Sequence, residues 1–216
     1  MAKITNVEQA LAAVRKKGEA LENVPENLKT VEVCLEAVKK NGRALEFVPE
    51  KLKTTSPKEF GEICLEAVKE AAYALDDVPE ELKTAEIYIE MVKNSHFSLD
   101  NVPETHKTAE VCLEAVRQNG WNLQYVPENL KTQEICREAV MNDGDALEFA
   151  PKNLWTAEMC FEAIEKNKIR MATATNFRGD RDWTIEKLRA ENADIFAAMP
   201  EEMRDEVRRM LKESGE

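Results

Sequence analysis

The 24 residues from Thr30 to Lys53, TVEVCLEAVKKNGRALEFVPEKLK, decide the fold. Val33, Cys34, Ala37 and Val38 lie on one side of a helical projection, and Glu32, Glu36, Lys39 and Lys40 on the other. That is the period of an amphipathic helix, not of a strand. Thr30 precedes the run as an N-cap, and Glu32 sits where the positive end of the helix dipole favours an acid. Gly42 follows at the position of a left-handed residue that closes a helix, so a helix of about 11 residues, some 16 Å long, is expected. Arg43 to Phe47 then form a second, shorter helix. Pro49 biases Val48 away from helical geometry, and Pro49 with Glu50 suits the first turn of a further helical or 3₁₀ segment that carries Leu52 inward.

The same phrases recur along the chain. VPENLKT from Val24 returns as VPEKLKT from Val48, VPEELKT from Val78, VPETHKT from Val102, VPENLKT from Val126 and, more distantly, APKNLWT from Ala150. Thr30, Thr84, Thr108, Thr132 and Thr156 each start a helix, and Gly18, Gly42, Gly120 and Gly144 each end one. A unit this small cannot bury its apolar side alone, so neighbours must stack. The expected fold is all-α: a short right-handed α-solenoid of about seven 24-residue helical repeats. The array spans residues 1–182, with repeat phrases ending near 30, 54, 84, 108, 132 and 156, and residues 183–216 form a divergent C-terminal helical cap. Near the cap the Gly is replaced by Lys168, Asn176 to Asp182 reads as an irregular loop, and Thr184 and Glu186 restart a helix. The spacing has one six-residue excess, TSPKEF from Thr55 to Phe60. Ser56, Pro57 and Glu59 supply an N-cap, an N1 proline and a capping-box acid, which predicts one lengthened, protruding helix.

Composition narrows the function classes. The chain has 216 residues and a formal net charge of −12, which opposes direct binding to nucleic acid or to anionic membranes. The first residues lack the apolar core of a signal peptide, and no run of about 18 apolar residues exists to span a bilayer, so a cytoplasmic protein is expected. Cys34, Cys64, Cys112, Cys136 and Cys160 occupy one repeat position and are read as small buried hydrophobes of a reducing compartment. His96 and His106 stand where other repeats have unrelated residues, and no cysteine or histidine pair has zinc-ligand spacing. No cofactor is expected. Nor is an enzyme, since no nucleophile, base and orienting group come together.

The phrase Glu-Ala-Val-x-x-Asn-Gly-x-x-Leu-x-x-Val-Pro-Glu-x-Leu-Lys resembles the repeats of the domain-of-unknown-function 4116 family over about residues 6 to 160. The resemblance implies an α-helical repeat and brings no catalytic residues with it. Ala72, His96 and Lys168 depart from it by lacking the glycine.

Two surfaces are candidate sites for a protein partner. The position after the glycine carries Tyr73, Phe97 and Trp121 in the central repeats, with Tyr125 one turn beyond. Either they pack between short helices, or they form the anchors of an interface. Arg43 and Asp145 at the same position favour exposure. The second surface is a double row of acids: Glu32, Glu62, Glu86, Glu110 and Glu134, with Glu158, in one file, and Glu36, Glu66, Glu90, Glu114 and Glu138, with Glu162, in the other. Like charges four residues apart repel. Pairing with Lys29, Lys53, Lys83, Lys107 and Lys131 to set the stacking register is the structural reason for them. The functional one is an acidic inhibitor or decoy that occupies a basic nucleic-acid-binding protein.

Overall fold

The computed structural model describes residues 4–94, 97–174 and 181–214. Among them there is no strand, and the chain is an all-α repeat protein. Its helices are α1 (Val7–Lys16), α2 (Val31–Lys40), α3 (Lys51–Thr55), α4 (Pro57–Glu70), α5 (Ala85–Lys93), α6 (Ala109–Gln118), α7 (Gln133–Asn142), α8 (Ala157–Ala174), α9 (Arg181–Ala198) and α10 (Glu201–Glu213). They belong to two compact units, Met1–His106 and Lys107–Glu216.

In both units the repeat is built as its apolar spacing requires. Val33, Cys34, Ala37 and Val38 of α2 are fully buried, as are Ile135, Cys136, Ala139 and Val140 of α7 to within 3%. The hydroxyls of Thr30, Thr108, Thr132 and Thr156 accept a bond from the backbone N–H three residues on, at 3.2–3.3 Å. Thr84 makes no such bond. All five cysteines are buried and free of disulfides. Burial pushes the thiols of Cys34, Cys64 and Cys160 up to about 12 and that of Cys136 up to about 11.

The second half of each unit is tighter than an α-helix. Gly18–Asn23, Gly42–Phe47, Ala72–Asp77, Gly120–Tyr125 and Gly144–Phe149 are six-residue 3₁₀ helices, each held between an extended residue such as Asn41 and the extended residue before proline such as Val48. Six residues between two breaks leave room for two 3₁₀ turns. A three-residue 3₁₀ turn, such as Glu26–Leu28 or Glu128–Leu130, follows the proline.

The glycines do a different job from the one expected. None of Gly18, Gly42, Gly61, Gly120 and Gly144 is left-handed; the cap residue is the preceding Asn41 or its equivalent, in extended geometry. What requires glycine at 42 is proximity: a Cβ there would lie 2.5 Å from the carbonyl oxygen of Ala67 and 3.0 Å from the Cβ of Ala71, both belonging to the next repeat. Gly18 meets Ala37 of the following helix in the same way, again at 2.5 Å. Successive repeats therefore touch backbone to backbone, and a glycine in one faces an alanine in the next. After α4 both members change: Ala72 replaces the glycine and Met91 the alanine.

The lysines also find other partners. Lys29, Lys53, Lys83 and Lys131 pair with Glu26, Glu50, Glu80 and Glu128, three residues earlier in the same phrase, and not with the glutamate rows. Lys29 and Lys131 are almost buried, and each ammonium donates at 3.0 Å to a carbonyl of the next 3₁₀ helix, that of Phe47 or Phe149. They still tie repeat to repeat, through the backbone.

The six-residue excess is shared between α3, which replaces a three-residue turn, and α4, which has 14 residues where α2 has 10. Ser56 makes no side-chain cap, so the expected capping box is absent and Pro57 alone marks the start. With neither the glycine nor a Val-Pro break, α8 runs on for 18 residues. The expected loop at Asn176 to Asp182 falls mainly outside the described residues, as does His96; α9 already begins at Arg181.

Candidate functional site

The position after the glycine is the second residue of a 3₁₀ helix, and in the first unit it is followed by the buried Ala44 and Leu45. There Arg43 is exposed and its guanidinium lies over the Tyr73 ring, 5.0 Å from the centroid. Neighbouring repeats thus join at this position by a cation–π contact, worth about 0.5–1 kcal/mol at an exposed site. Tyr73 is 45% exposed, while Phe97 is half-buried. In the second unit Trp121 is 40% and Tyr125 36% exposed. Trp121 is held on two sides: its indole N–H donates to Asp143 at 2.9 Å, and its ring lies 5.5 Å from that of Phe149.

The acidic files differ in setting. Glu32, Glu62, Glu86, Glu110, Glu134 and Glu158 are exposed, whereas Glu36, Glu66, Glu90, Glu114, Glu138 and Glu162 are partly buried. The second file is largely neutralised, by a cation on the same helix for Glu66, Glu90 and Glu162 and by one on the preceding helix for Glu36 (Arg15, 2.7 Å) and Glu138 (Arg117, 3.0 Å). Glu158 of the first file pairs with Arg137 at 3.1 Å. The pairs of Glu36 with Arg15, Glu138 with Arg117 and Glu158 with Arg137 join neighbouring helices, whereas the lysine pairs of Glu66, Glu90 and Glu162 stay within one helix.

A third feature was not read from the sequence. In the second unit a cleft of about 530 Å³ opens between Gly144–Phe149, α8 and α9, bordered by Trp121, Trp155, Asp145, Asn167, Arg170 and Glu191. Its origin is the end of the 3₁₀ layer. Gly120–Tyr125 packs against Gly144–Phe149, but α8 continues as a helix where the following 3₁₀ segment would begin. The replacement of glycine by Lys168 was the signal for this.

Among the described residues no group of three or more His, Cys, Asp or Glu is placed to hold a metal ion, and no helix is long and apolar enough to cross a membrane. Residues 6–53 and 109–155 each match the family model described as a domain of unknown function, DUF4116; one match lies in each compact unit. No curated protein and no solved structure matches the chain.

Proposed function

We propose that this protein, a chain of DUF4116 repeats, is a non-enzymatic recognition module that binds a protein partner through aromatic side chains on its 3₁₀ helices. One observation carries this: of the five exposed large apolar side chains among the described residues, three are Tyr73, Trp121 and Tyr125. Trp121 and Tyr73 are also fixed by neighbours, so little side-chain entropy remains to be lost on binding. Phe97, half-buried, contributes less. The buried thiols, protonated at neutral pH, are unsuited to nucleophilic chemistry.

The test is capture from the source cell's lysate with the wild-type chain and a Tyr73→Ala, Trp121→Ala, Tyr125→Ala variant, both shown to be folded by circular dichroism. Loss of a wild-type partner with the variant supports the reading. A partner that persists with the variant, and is released as salt rises from about 0.05 to 0.5 M, points instead to the exposed glutamate file and the decoy function.

A further inference from the structure

We propose that the cleft between Gly144–Phe149, α8 and α9 receives the guanidinium group of an arginine presented by a protein partner. The recognition reading supplies only the source of that arginine; the cleft stands on its own geometry.

Asn167 is the first reason. It borders the cleft and is 3% exposed; its Nδ2 donates to Asn192 Oδ1 at 2.9 Å, while its own Oδ1 has no hydrogen-bond partner. A buried amide oxygen left without a donor carries its full desolvation cost, and buried polar atoms in this state are uncommon. The ligand that relieves it must bring an N–H or O–H.

Charge selects among donors. Among the described residues the cleft is bordered by four carboxylates, Asp145, Glu148, Glu191 and Asp194, and two cations, Lys152 and Arg170, of which Arg170 is paired with Asp145. A concave surface with excess acid concentrates cations. The two tryptophans narrow the choice further. Trp121 donates its indole N–H to Asp143, and Trp155 donates to the carbonyl of Ala150 at 3.0 Å, so what they offer a ligand is ring surface. A guanidinium stacks on such rings and spreads five N–H donors in one plane, enough to reach an amide oxygen and a carboxylate together; an ammonium is compact and more strongly hydrated. The cleft already contains one example of the interaction, the ion pair between Arg170 Nη1 and Asp145 Oδ1. A volume of about 530 Å³ leaves room for an arginine side chain beside that pair.

The experiment titrates the full chain with an end-blocked Gly-Gly-Arg-Gly-Gly peptide and with its citrulline and lysine counterparts. Calorimetry gives the affinity, and the indole N–H and asparagine side-chain signals in ¹H–¹⁵N spectra give the location. The arginine peptide is expected to bind saturably with Kd of about 1 mM, typical of one anchored side chain. Citrulline, which keeps the shape and loses the charge, binds at least about tenfold more weakly, and lysine falls between them. Asn167→Leu weakens the arginine peptide by about tenfold, or about 1.4 kcal/mol, with no fall in thermal midpoint. Asp194→Asn, at an exposed position, weakens it without touching the interior and serves if Asn167→Leu does not fold. No saturable shift with the arginine peptide, equal binding of citrulline, or unchanged affinity in the folded variants overturns the proposal. Because the titration needs no partner, its failure leaves the lysate capture unaffected, and the reverse holds too.

Discussion

Replacing Gly42 and Gly61 by alanine should move stability in opposite directions, although both lie in the first unit and neither is left-handed. Gly61 is within α4, and a Cβ there meets nothing within 4 Å. Alanine at a helix interior is more stable than glycine by up to about 1 kcal/mol. At Gly42 the same methyl group would lie 2.5 Å from the Ala67 carbonyl oxygen, 3.0 Å from the Ala71 Cβ and 3.1 Å from Glu70 Oε2. Two of these atoms are fixed by α4 and its cap, so the repeats must part, and overpacking of this kind costs about 1–3 kcal/mol. For a chain of this length 1 kcal/mol corresponds to about 2–4 °C. Gly61→Ala should then raise the midpoint of the chain by about 1–4 °C, and Gly42→Ala should lower it by about 2–12 °C. Gly42→Asn separates the two explanations of the glycine. A left-handed cap tolerates Asn better than Ala, whereas a steric contact makes the larger Asn at least as damaging. Thermal and urea unfolding followed at 222 nm, with far-ultraviolet spectra to confirm the native fold, gives all three values. A Gly42→Ala chain as stable as wild type, or rescue by Asn, would refute the close-contact account.

Lys131→Met keeps the buried stem but leaves the Phe149 carbonyl and Glu128 without the ammonium they share; a loss of about 1–2 kcal/mol in urea unfolding is expected, against within about 0.5 kcal/mol for Lys39→Met on the exposed side of α2. The thiols predict a pH dependence. Their ordinary value is 9.0, and in the folded chain it rises to about 12 for Cys34, Cys64 and Cys160 and to about 11 for Cys136. From about pH 9 upward the unfolded chain loses protons that the folded chain keeps, so the thiols penalise folding by up to about 1.4 kcal/mol per thiol for each pH unit. The urea midpoint should fall between about pH 8 and pH 10, and Cys64→Ala should show a shallower fall; a midpoint flat in pH would contradict the burial account.

The apolar half of each repeat was fully legible, because Val33, Cys34, Ala37 and Val38 can share a side only in an α-helix and the threonine cap is a local signal. The 3₁₀ half was legible as a short helical piece bounded by proline, but its tighter winding depends on the extended cap at Asn41, which spacing alone does not display. Gly42 was located correctly and explained wrongly. A glycine that ends a helix and a glycine that admits a neighbouring backbone look the same in one repeat, and the difference lies 25 residues away at Ala67. The lysine pairing failed for a related reason: Lys29 is as close in sequence to Glu26 as to Glu32, and only the 3₁₀ turn decides between them. Exposure of Tyr73 and Trp121 could be argued from Arg43 and Asp145 at the same position. The lining of the cleft could not: Lys168 in place of glycine marked only where the 3₁₀ layer ends, and Asn167 and Asn192 are brought together by two helices with no repeat relation to each other.

The glycine contact has a direction. Gly18, Gly42, Gly120 and Gly144 each accommodate an alanine of the following repeat, so these units follow a grammar in which a socket at the trailing edge of one receives a plug in the helix of the next. Growth by tandem duplication is permitted wherever a unit ending in Gly precedes one containing Ala, and Lys168 acts as the full stop. An engineer who inserts a consensus unit after Gly144 should extend the array, whereas the same unit grafted after Lys168 needs that lysine turned back into glycine before it can dock.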